Sequence, residues 1–511
     1  MGQSVCKGWL IGLTISSSLL GFCLFLSCFI LAGTASADTS LEPIRFGLAT
    51  APSNLDPRFA TDAASTRVNR LVYERLVDFD HTSRPIPALA HWEQLSPIHY
   101  RFYLDPNRQP FHDGQPLTAQ DVQATYQFIL DPQHASPHRS SLLRIDRMTT
   151  PNDATIDFFL TKPDLLFPAY LVIGILPAQL IATQHPFHSQ PIGNGPFAFT
   201  NRPDDSRLIL TRRTDRQPFE FVRVPDPTVR TMKLLAGEID MVQNDLEPEL
   251  VEYLAKDQRV VVQRGHGSNF VYIGFHLQDP LTKQLAIRQA VAHAIDRQAI
   301  IRFMLGGAAR PASALLPHDH WAGNPALPPY NYNPQKAREL LAQAGITPDR
   351  PIHLTYTTSS DPFRIRLATI LQHQLAKVGI ACDLRSYDWG TFYGDIKAGR
   401  FQLYSLSWVG IKTPDIFSYV FHSRSIPPHG ANRGRFIDDT ANRLIDEAET
   451  AQAIFEKREK YQQLQAYLLT KLPYVPLWFE DHVFIARQEI EGFSIAVDGN
   501  YDSLVSVQRR R

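Results

Sequence analysis

Cysteine is scarce in this sequence: its 511 residues include only four, and Cys6, Cys23 and Cys28 lie close to the N-terminus. Because Cys382 is the single cysteine after them, the rest of the chain cannot form an intramolecular disulfide. Cys382 belongs to the apolar run 380–382, which favours a small core residue over a reactive nucleophile. We therefore expect a fold that is held together without disulfides.

An excess of charge is also missing, since 51 Lys and Arg balance 51 Asp and Glu. Nucleic-acid binding needs a basic patch or stripe, so this balance argues against a nucleic-acid partner. No segment after residue 37 is long and apolar enough to span a membrane, so the chain does not itself form a channel. Single hydrophobic cores stop growing at about 250–300 residues. We expect two or three structural units.

The common catalytic motifs are lacking as well. The sequence has no Gly-x-x-x-x-Gly-Lys phosphate loop, no Gly-x-Ser-x-Gly elbow, no His-Glu-x-x-His and no Cys-x-x-Cys. His112 and Asp113 offer too few ligands for a metal and favour an Asx-type turn. His134 and His138 are separated by Pro137, which argues against a helical metal pair. We expect no catalytic site, no metal and no cofactor.

The N-terminus has the pattern of an export signal. Lys7 is the only charge before Asp38, and an apolar stretch between them ends at the small-residue site 35–37. This pattern predicts a signal peptide over 1–37, cleaved before Asp38, and hence a periplasmic protein. Two alternatives stay open: an uncleaved membrane anchor, and lipid attachment at Cys23 or Cys28.

The clearest periodicity lies in the second half of the chain. It predicts alternating strands and helices over 352–356, 363–378, 380–384, 389–398 and 401–407. Short connections between them predict right-handed crossovers and a mostly parallel sheet. Because open α/β sheets bind ligands at the carboxyl ends of their strands, the loop that begins at Trp408 is a candidate binding loop. The alternative is that Trp408 is a core residue.

Earlier segments predict single elements. Strands are expected over 43–48 and 99–104, and a helix capped by Thr118 follows the second strand. Apolar residues on one face predict a further helix over 68–77.

Six segments, in this order, resemble the extracellular solute-binding proteins of the dipeptide/oligopeptide/nickel type, family 5, which serve ABC importers. They are FHDGQPLTAQDV at 111–122, IGNGPF at 192–197, LLAGEID at 234–240, IRQAVAHAIDR at 287–297, NPQKAR at 333–338 and LPYVPL at 472–477.

The resemblance implies an α/β fold in the form of a two-lobed clamshell of class II, with an extra subdomain inserted in lobe I. Lobe I would take 38–270, including the inserted subdomain at about 60–188, and would return over 480–511. Lobe II would take 271–479. The crossings near 267–274 and 479–483 would act as the hinge.

The implied function is capture of di- or oligopeptides by a monomer and delivery to an ABC permease in the inner membrane. A non-peptide ligand is the alternative: a metal chelate, haem, a sugar or an anionic solute. A sensor or accessory protein with the same clamshell stays open too. A periplasmic hydrolase would need a catalytic constellation that the sequence does not offer.

The resemblance also implies ligand-binding residues. In the turn-rich stretch 52–57, Asn54 is one candidate. Either Arg364 or Arg366 would bind a peptide carboxylate. Many peptide binders carry an acid three residues after the cleft tryptophan, whereas this sequence has Ile411 at that position and Lys412 after it. A downstream aspartate could substitute for that acid. The remaining candidates are Asn194, Gly195, Arg364, Arg366, Trp408, Ile411, Lys412 and Asp415.

Overall fold

The computed structural model describes residues 41–347 and 350–510. The predicted signal peptide over 1–37 lies outside these residues. Among the helices of the described ranges, none combines the length and the hydrophobicity needed to cross a bilayer.

The described residues form nineteen strands: β1 (Ile44–Leu48), β2 (Val77–Phe79), β3 (Pro85–Pro87), β4 (Ala90–Ser96), β5 (His99–Leu104), β6 (Ile145–Asn152), β7 (Thr155–Leu160), β8 (Phe197–Asp204), β9 (Arg207–Arg212), β10 (Pro218–Arg223), β11 (Met241–Gln243), β12 (Val260–Phe275), β13 (Ala309–Pro311), β14 (Ile352–Ser359), β15 (Ile380–Tyr387), β16 (Leu403–Trp408), β17 (Tyr474–Arg487), β18 (Ile490–Glu491) and β19 (Gln508–Arg509).

The same residues form fourteen α-helices: α1 (Ala63–Val72), α2 (Ala119–Leu130), α3 (Arg139–Leu142), α4 (Ala178–Ala182), α5 (Pro227–Ala236), α6 (Pro248–Leu254), α7 (Leu285–Ala294), α8 (Arg297–Phe303), α9 (Pro334–Gln343), α10 (Pro362–Ala376), α11 (Trp389–Ala398), α12 (Ile416–Phe421), α13 (Asp439–Thr450) and α14 (Ile454–Lys471). Short 3₁₀ segments occupy Pro132–His134, Phe167–Tyr170, Ser423–Ser425 and Asp502–Ser506.

Eleven strands form one large sheet in the order β15-β14-β16-β12-β17-β11-β1-β10-β9-β8, with β13 paired to β17. At one end of this sheet, which we call the first strand group, β1 runs parallel to both β10 and β11. At the other end, the second strand group, β14 runs parallel to both β15 and β16. Parallel strands direct their carboxyl ends to one edge, so each group presents such an edge.

The second strand group confirms the predicted alternation of strands and helices. Its helices begin where the sequence supplies caps: the Asp361 carboxylate accepts the N–H of Arg364 at 2.9 Å, and the Asp388 carboxylate accepts the N–H of Thr391 at 3.1 Å. Gly399 ends α11 with φ 81°, a left-handed backbone that favours glycine. The strand–helix–strand–helix–strand unit therefore forms from local signals.

Two hydrophobic clusters cover the second strand group. Leu403 belongs to one cluster and the next residue, Tyr404, belongs to the other. Neighbouring side chains of a strand point to opposite faces of the sheet, so the two clusters cover opposite faces. Cys382 is buried in the first cluster, as expected, and burial raises the pKa of its thiol to about 12.

Two long antiparallel strands, β12 and β17, join the strand groups at the centre of the sheet. β17 pairs with β11 of the first group, and β12 pairs with β16 of the second. The two long strands pair with each other along most of their length, with a register shift between Gly265 and Asn269. This irregularity lies where the sheet passes from one group to the other.

A separate four-stranded antiparallel sheet, in the order β4-β5-β7-β6, lies within the first half of the chain. It has its own hydrophobic cluster, which includes Phe102, Tyr126 and Phe158. Helix α2 packs there. Thr118 caps its start, as predicted, and forms a capping box with Asp121.

One helix lies elsewhere than predicted. The prediction was 68–77, whereas α1 spans Ala63–Val72 because the Asp62 side chain caps it and Tyr73 is extended. Leu76, which the prediction included in that helix, follows α1 and is buried in the cluster of the four-stranded sheet. The apolar residues that predicted one helix therefore belong to two hydrophobic clusters: Val68, Leu71 and Val72 to one, and Leu76 to another.

Candidate functional site

A cavity of about 750 Å³ lies between the two strand groups. Cavities that bind small molecules measure about 300–1,000 Å³, so its size suits such a ligand. Its lining comes from both strand groups and from the long strands between them, and includes Thr50, Arg67, Asp245, Arg264, Arg364 and Glu480.

The first wall lies at the carboxyl ends of the first strand group. Thr50 follows β1, Pro225 follows β10, and Asp245 follows β11. Asn244 and Asp245 adopt left-handed φ angles of 60° and 55°, which are uncommon for residues other than glycine. These loops therefore turn sharply at the cavity.

The second wall lies at the carboxyl end of β14. There the chain turns through Asp361 into α10, and the cap at Asp361 fixes the first turn of the helix that carries Arg364. The Nη2 atom of Arg364 lies 3.4 Å from Ser407 Oγ and 4.0 Å from Glu480 Oε1. Its Nη1 atom is buried and has no hydrogen-bond partner among the described residues. A guanidinium with a spare donor at a cavity wall suits an anionic ligand group.

Residues of β17 form the floor. Glu480 pairs with Asn269 of β12 on one side and with Ala309 of β13 on the other. His482 is held between segments, because its Nδ1 accepts a hydrogen bond from Asn244 Nδ2 at 2.9 Å and its Nε2 donates to the Val497 carbonyl at 3.0 Å.

The negative charges of Glu480 and Asp245, two carboxyl groups at the cavity, are only partly balanced by nearby cations. Burial raises the pKa of Glu480; Arg364 lowers it in part, and the neighbouring charge of Asp245 raises it further. Asp245 also lines the cavity, and desolvation raises the pKa of its carboxyl against the charges of Arg230 and Arg67. A positively charged ligand group would offset this cost.

Trp408 lies on the sheet face opposite to that of Arg364. Ser407, which contacts Arg364, and Trp408 are neighbours in β16 and so point to opposite faces. The half-buried indole packs under the guanidinium of Arg433, 4.7 Å from the ring centroid, and its Nε1 has no hydrogen-bond partner in the described part of the chain. Ligand contact by Trp408 stays a prediction.

The loop after Trp408 reaches segments outside the second strand group. Lys412 forms an ion pair with Asp498 and lies 4.9 Å from the centroid of the Phe79 ring. Burial alone would raise the pKa of Asp498, but Lys412 and Arg70 outweigh it and lower that pKa. The charge of Lys412 is therefore paired within the protein.

Ile411 and Asp415 both lie away from the cavity wall. Ile411 is 9% exposed and belongs to the second cluster of the strand group. The Asp415 carboxyl accepts a hydrogen bond from the Thr413 hydroxyl, and burial raises its pKa with partial relief from Arg144. Neither residue supplies an open carboxylate at the cavity, and their contact with ligand stays a prediction.

Asn194 and Gly195 bind the C-terminal end of α1. The Asn194 side chain accepts from the N–H of Glu74 at 3.1 Å and donates to its carboxyl at 2.6 Å. The Gly195 N–H donates to the Val72 carbonyl at 2.8 Å, and a Cβ at this glycine would lie 2.5 Å from the carbonyl oxygen of Leu71. These contacts give the IGNGPF segment a structural role.

Arg366 and Asn54 complete the predicted set. Arg366 bonds Glu249 of α6 at 2.9 Å, so this exposed pair joins α10 to α6. The Asn54 side chain accepts the N–H of Asp56 at 2.9 Å and thereby shapes its own turn.

Of the nine predicted residues, the structure brings Arg364 alone to the wall of this cavity, among the residues that it describes. Sequence reasoning missed Arg67, Asp245 and Glu480. Glu480 had a visible signal, because it interrupts the apolar run of β17. No group of three or more His, Cys, Asp and Glu side chains suited to a metal ion occurs within 41–347 and 350–510.

A ligand-sized cavity between two strand groups, joined by two central strands, defines a binding protein that holds its ligand between two halves. The family model described as "Bacterial extracellular solute-binding proteins, family 5 Middle" matches residues 84–426. The chain belongs to this family, and its fold is the two-lobed α/β fold that the resemblance implied.

Relatives support this assignment over most of the chain. A Brucella ovis protein named as a putative ABC transporter peptide-binding protein is 28% identical over 489 residues, 90% of each chain. Heme-binding protein A of Haemophilus influenzae is 28% identical over 498 residues, 87% of this chain and 88% of the relative. The solved structure of HbpA2 from Haemophilus parasuis has a TM-score of 0.78 at 26% identity, covering 92% of this chain and 100% of that one.

Proposed function

We propose that this protein captures short peptides in the periplasm and delivers them to an ABC permease of the inner membrane, without covalent chemistry. The observation that supports this proposal most directly is the cavity of about 750 Å³ between the strand groups, with the spare Nη1 donor of Arg364 on its wall. The relative named as an ABC transporter peptide-binding protein supports the ligand class and the partner.

We propose the following division of the chain. Lobe I takes 38–270 and 480–511, with an inserted subdomain at about 60–188, and lobe II takes 271–479. The hinge lies at the crossings near 267–274 and 479–483. Support comes from the separate core of the four-stranded sheet and from the register shift between the long strands. Ligand contacts with both lobes would favour the closed form.

Arg364 is proposed as the residue that takes the ligand carboxylate. Arg366, two positions on, is the matched control, because its guanidinium bonds Glu249. Loss of a charge-assisted hydrogen bond costs about 1.5–3 kcal/mol, which is about tenfold to hundredfold in affinity. Arg364→Gln should therefore weaken binding of dipeptides by that factor, and Arg366→Gln by less than about fivefold, since exposed ion pairs contribute ~0–1 kcal/mol.

The test combines two measurements. Mass spectrometry identifies the ligand that co-purifies with the exported protein, and calorimetry measures dipeptide affinity with free and amidated carboxyl termini. A co-purified peptide and a selective loss in Arg364→Gln are the expected results. Equal losses in the two arginine variants, or a co-purified ligand that is not a peptide, would refute the proposal.

A haem ligand is the second candidate, because Heme-binding protein A of Haemophilus influenzae matches the chain at the same identity as the peptide-binding relative. Haem added to the purified protein should produce no shifted absorption band if peptides are the ligand. A saturable band with one equivalent would favour haem.

A further inference from the structure

The ligand site holds a carboxylate that the protein leaves without a hydrogen bond. The Glu480 side chain is 28% exposed and lies on the floor of the cavity. Among the described residues it accepts no hydrogen bond, and the cation beside it, Arg364, is 4.0 Å away. This distance is beyond hydrogen-bond reach, so the carboxylate keeps its acceptor sites for another donor.

The backbone holds Glu480 firmly in this position. It pairs with β12 through Asn269 and with β13 through Ala309, so strands flank it on both sides. The backbone at this residue is therefore already ordered before a ligand binds.

Asp245 supplies a second carboxyl on the same cavity. It is an exposed residue of the cavity lining, and its charge raises the pKa of Glu480. Its backbone carbonyl accepts a hydrogen bond from Arg230, which holds the loop in place. Both carboxyls therefore favour a cationic ligand group in this cavity.

The acids near Trp408 do not compete for this role. Asp415 accepts a hydrogen bond from Thr413 away from the cavity, and Asp498 is neutralised by Lys412. Of the other acids that line the cavity, Asp361 caps α10 and Asp481 pairs with Arg310, while Glu247 is exposed at the start of α6. Within the described residues, Glu480 is therefore the acceptor best placed for a cationic ligand group, and Asp245 lies on the same cavity.

The spacing of the charges restricts the ligand further. The nearest atoms of the two groups, Arg364 Nη2 and Glu480 Oε1, lie 4.0 Å apart. A hydrogen bond of ~2.8 Å from each group to the ligand extends the reach between ligand charges to about 10 Å. An extended tetrapeptide places its terminal charges about 13 Å apart, whereas a dipeptide places them about 7 Å apart.

We propose that Glu480, assisted by Asp245, receives the ammonium group of the ligand. Together with Arg364 it selects short peptides whose ammonium and carboxylate lie within about 10 Å of each other, which excludes an extended tetrapeptide. This inference rests on the proposed function, because it specifies which peptides the cavity takes.

The experiment measures the affinity of ligand-stripped protein for Ala-Leu, N-acetyl-Ala-Leu and Ala-Ala-Ala-Leu by calorimetry. Wild type should bind Ala-Leu at least about tenfold more tightly than either of the others, as expected for loss of one charge-assisted bond. Glu480→Gln, which keeps the shape of the side chain, should reduce Ala-Leu affinity about tenfold to hundredfold and leave N-acetyl-Ala-Leu nearly unchanged.

Two further variants test whether the loss of selectivity is specific to the cavity carboxylates. Asp245→Asn should cause a smaller loss of the same selectivity, and Glu252→Gln, on α6 and outside the cavity lining, should cause none. Thermal unfolding checks that each variant is folded; if Glu480→Gln does not fold, Asp245→Asn alone decides, and its failure to reduce the preference for a free amine overturns the inference.

Other outcomes overturn it directly. Unchanged selectivity in folded Glu480→Gln removes Glu480 as the ammonium acceptor, and equal affinity for Ala-Leu and Ala-Ala-Ala-Leu removes the spacing rule. If wild type binds Ala-Leu but ignores acetylation, this inference fails while the proposed function stands. If wild type binds none of the peptides, the proposed function fails and this inference fails with it.

Discussion

Protonation of His320 should destabilise this protein in mild acid. The imidazole is 5% exposed and uses both ring nitrogens in its neutral form. Nε2 donates to the carbonyl of Lys412 at 3.0 Å, and Nδ1 accepts the N–H of Ala322 at 3.0 Å. A proton on Nδ1 would replace this second hydrogen bond with two donors that face each other.

The magnitude follows from the pKa. Burial lowers the pKa of His320 from 6.5 to about 4, against a smaller opposing effect of the Lys412 carbonyl. Below pH 6.5 the unfolded chain therefore binds a proton that the folded protein does not. The contribution to the free energy of unfolding is complete above pH 6.5 and is lost as the pH falls toward 4. At pH 5 the loss is about 2 kcal/mol, at ~1.36 kcal/mol for each pH unit.

The assay is urea denaturation at pH 7.5 and pH 5.0, compared between wild type and His320→Gln. Glutamine can still donate to the Lys412 carbonyl but does not titrate, so the drop in unfolding free energy between the two pH values should be about 2 kcal/mol smaller in the variant. His429→Gln, at an exposed position, is the matched control. An identical drop in wild type and His320→Gln would refute the assignment of this pH dependence to His320.

Three further predictions concern other residues. Trp408→Ala should lower the free energy of unfolding by about 1–3 kcal/mol, measured in urea, because it removes the packing of the half-buried indole and its contact with the Arg433 guanidinium; a loss of ligand affinity of about tenfold with unchanged stability would instead place Trp408 in contact with the ligand. Gly195→Ala should lower the free energy of unfolding by about 1–3 kcal/mol, measured in urea, because its Cβ would lie 2.5 Å from the Leu71 carbonyl oxygen. Lys412→Met should lower the free energy of unfolding by about 1–3 kcal/mol, because the half-buried Asp498 carboxylate loses its ion-pair partner. The double variant with Asp498→Asn should recover most of that loss, and additive losses would contradict the pairing.

Much of the fold could be predicted, because local signals determine it. The Asp361 and Asp388 caps, the glycine at 399 and the strict strand spacing act within a few residues, and the parallel unit they predict is present. The misplaced first helix shows the limit of such signals. Burial of Leu76 was visible in the hydrophobic pattern, whereas the core that buries it was not.

The site was harder to predict, since its wall combines residues that are distant in the chain. Asp245 and Arg364 meet Glu480 only through the order of strands in the large sheet. Trp408 was predicted at a strand end, but one residue of strand position decides the face it occupies. A sequence pattern predicts well where a strand ends. It predicts less well which side chains at those ends lie on the same face of the sheet.

The buried thiol of Cys382 makes this protein convenient for labelling. With a pKa of about 12 and 5% exposure, this thiol should react slowly with maleimides at neutral pH. A protein expressed from residue 38 onward carries no other cysteine. Fluorophores attached to one introduced cysteine on each side of the cavity would therefore report opening and closing without removal of a native residue.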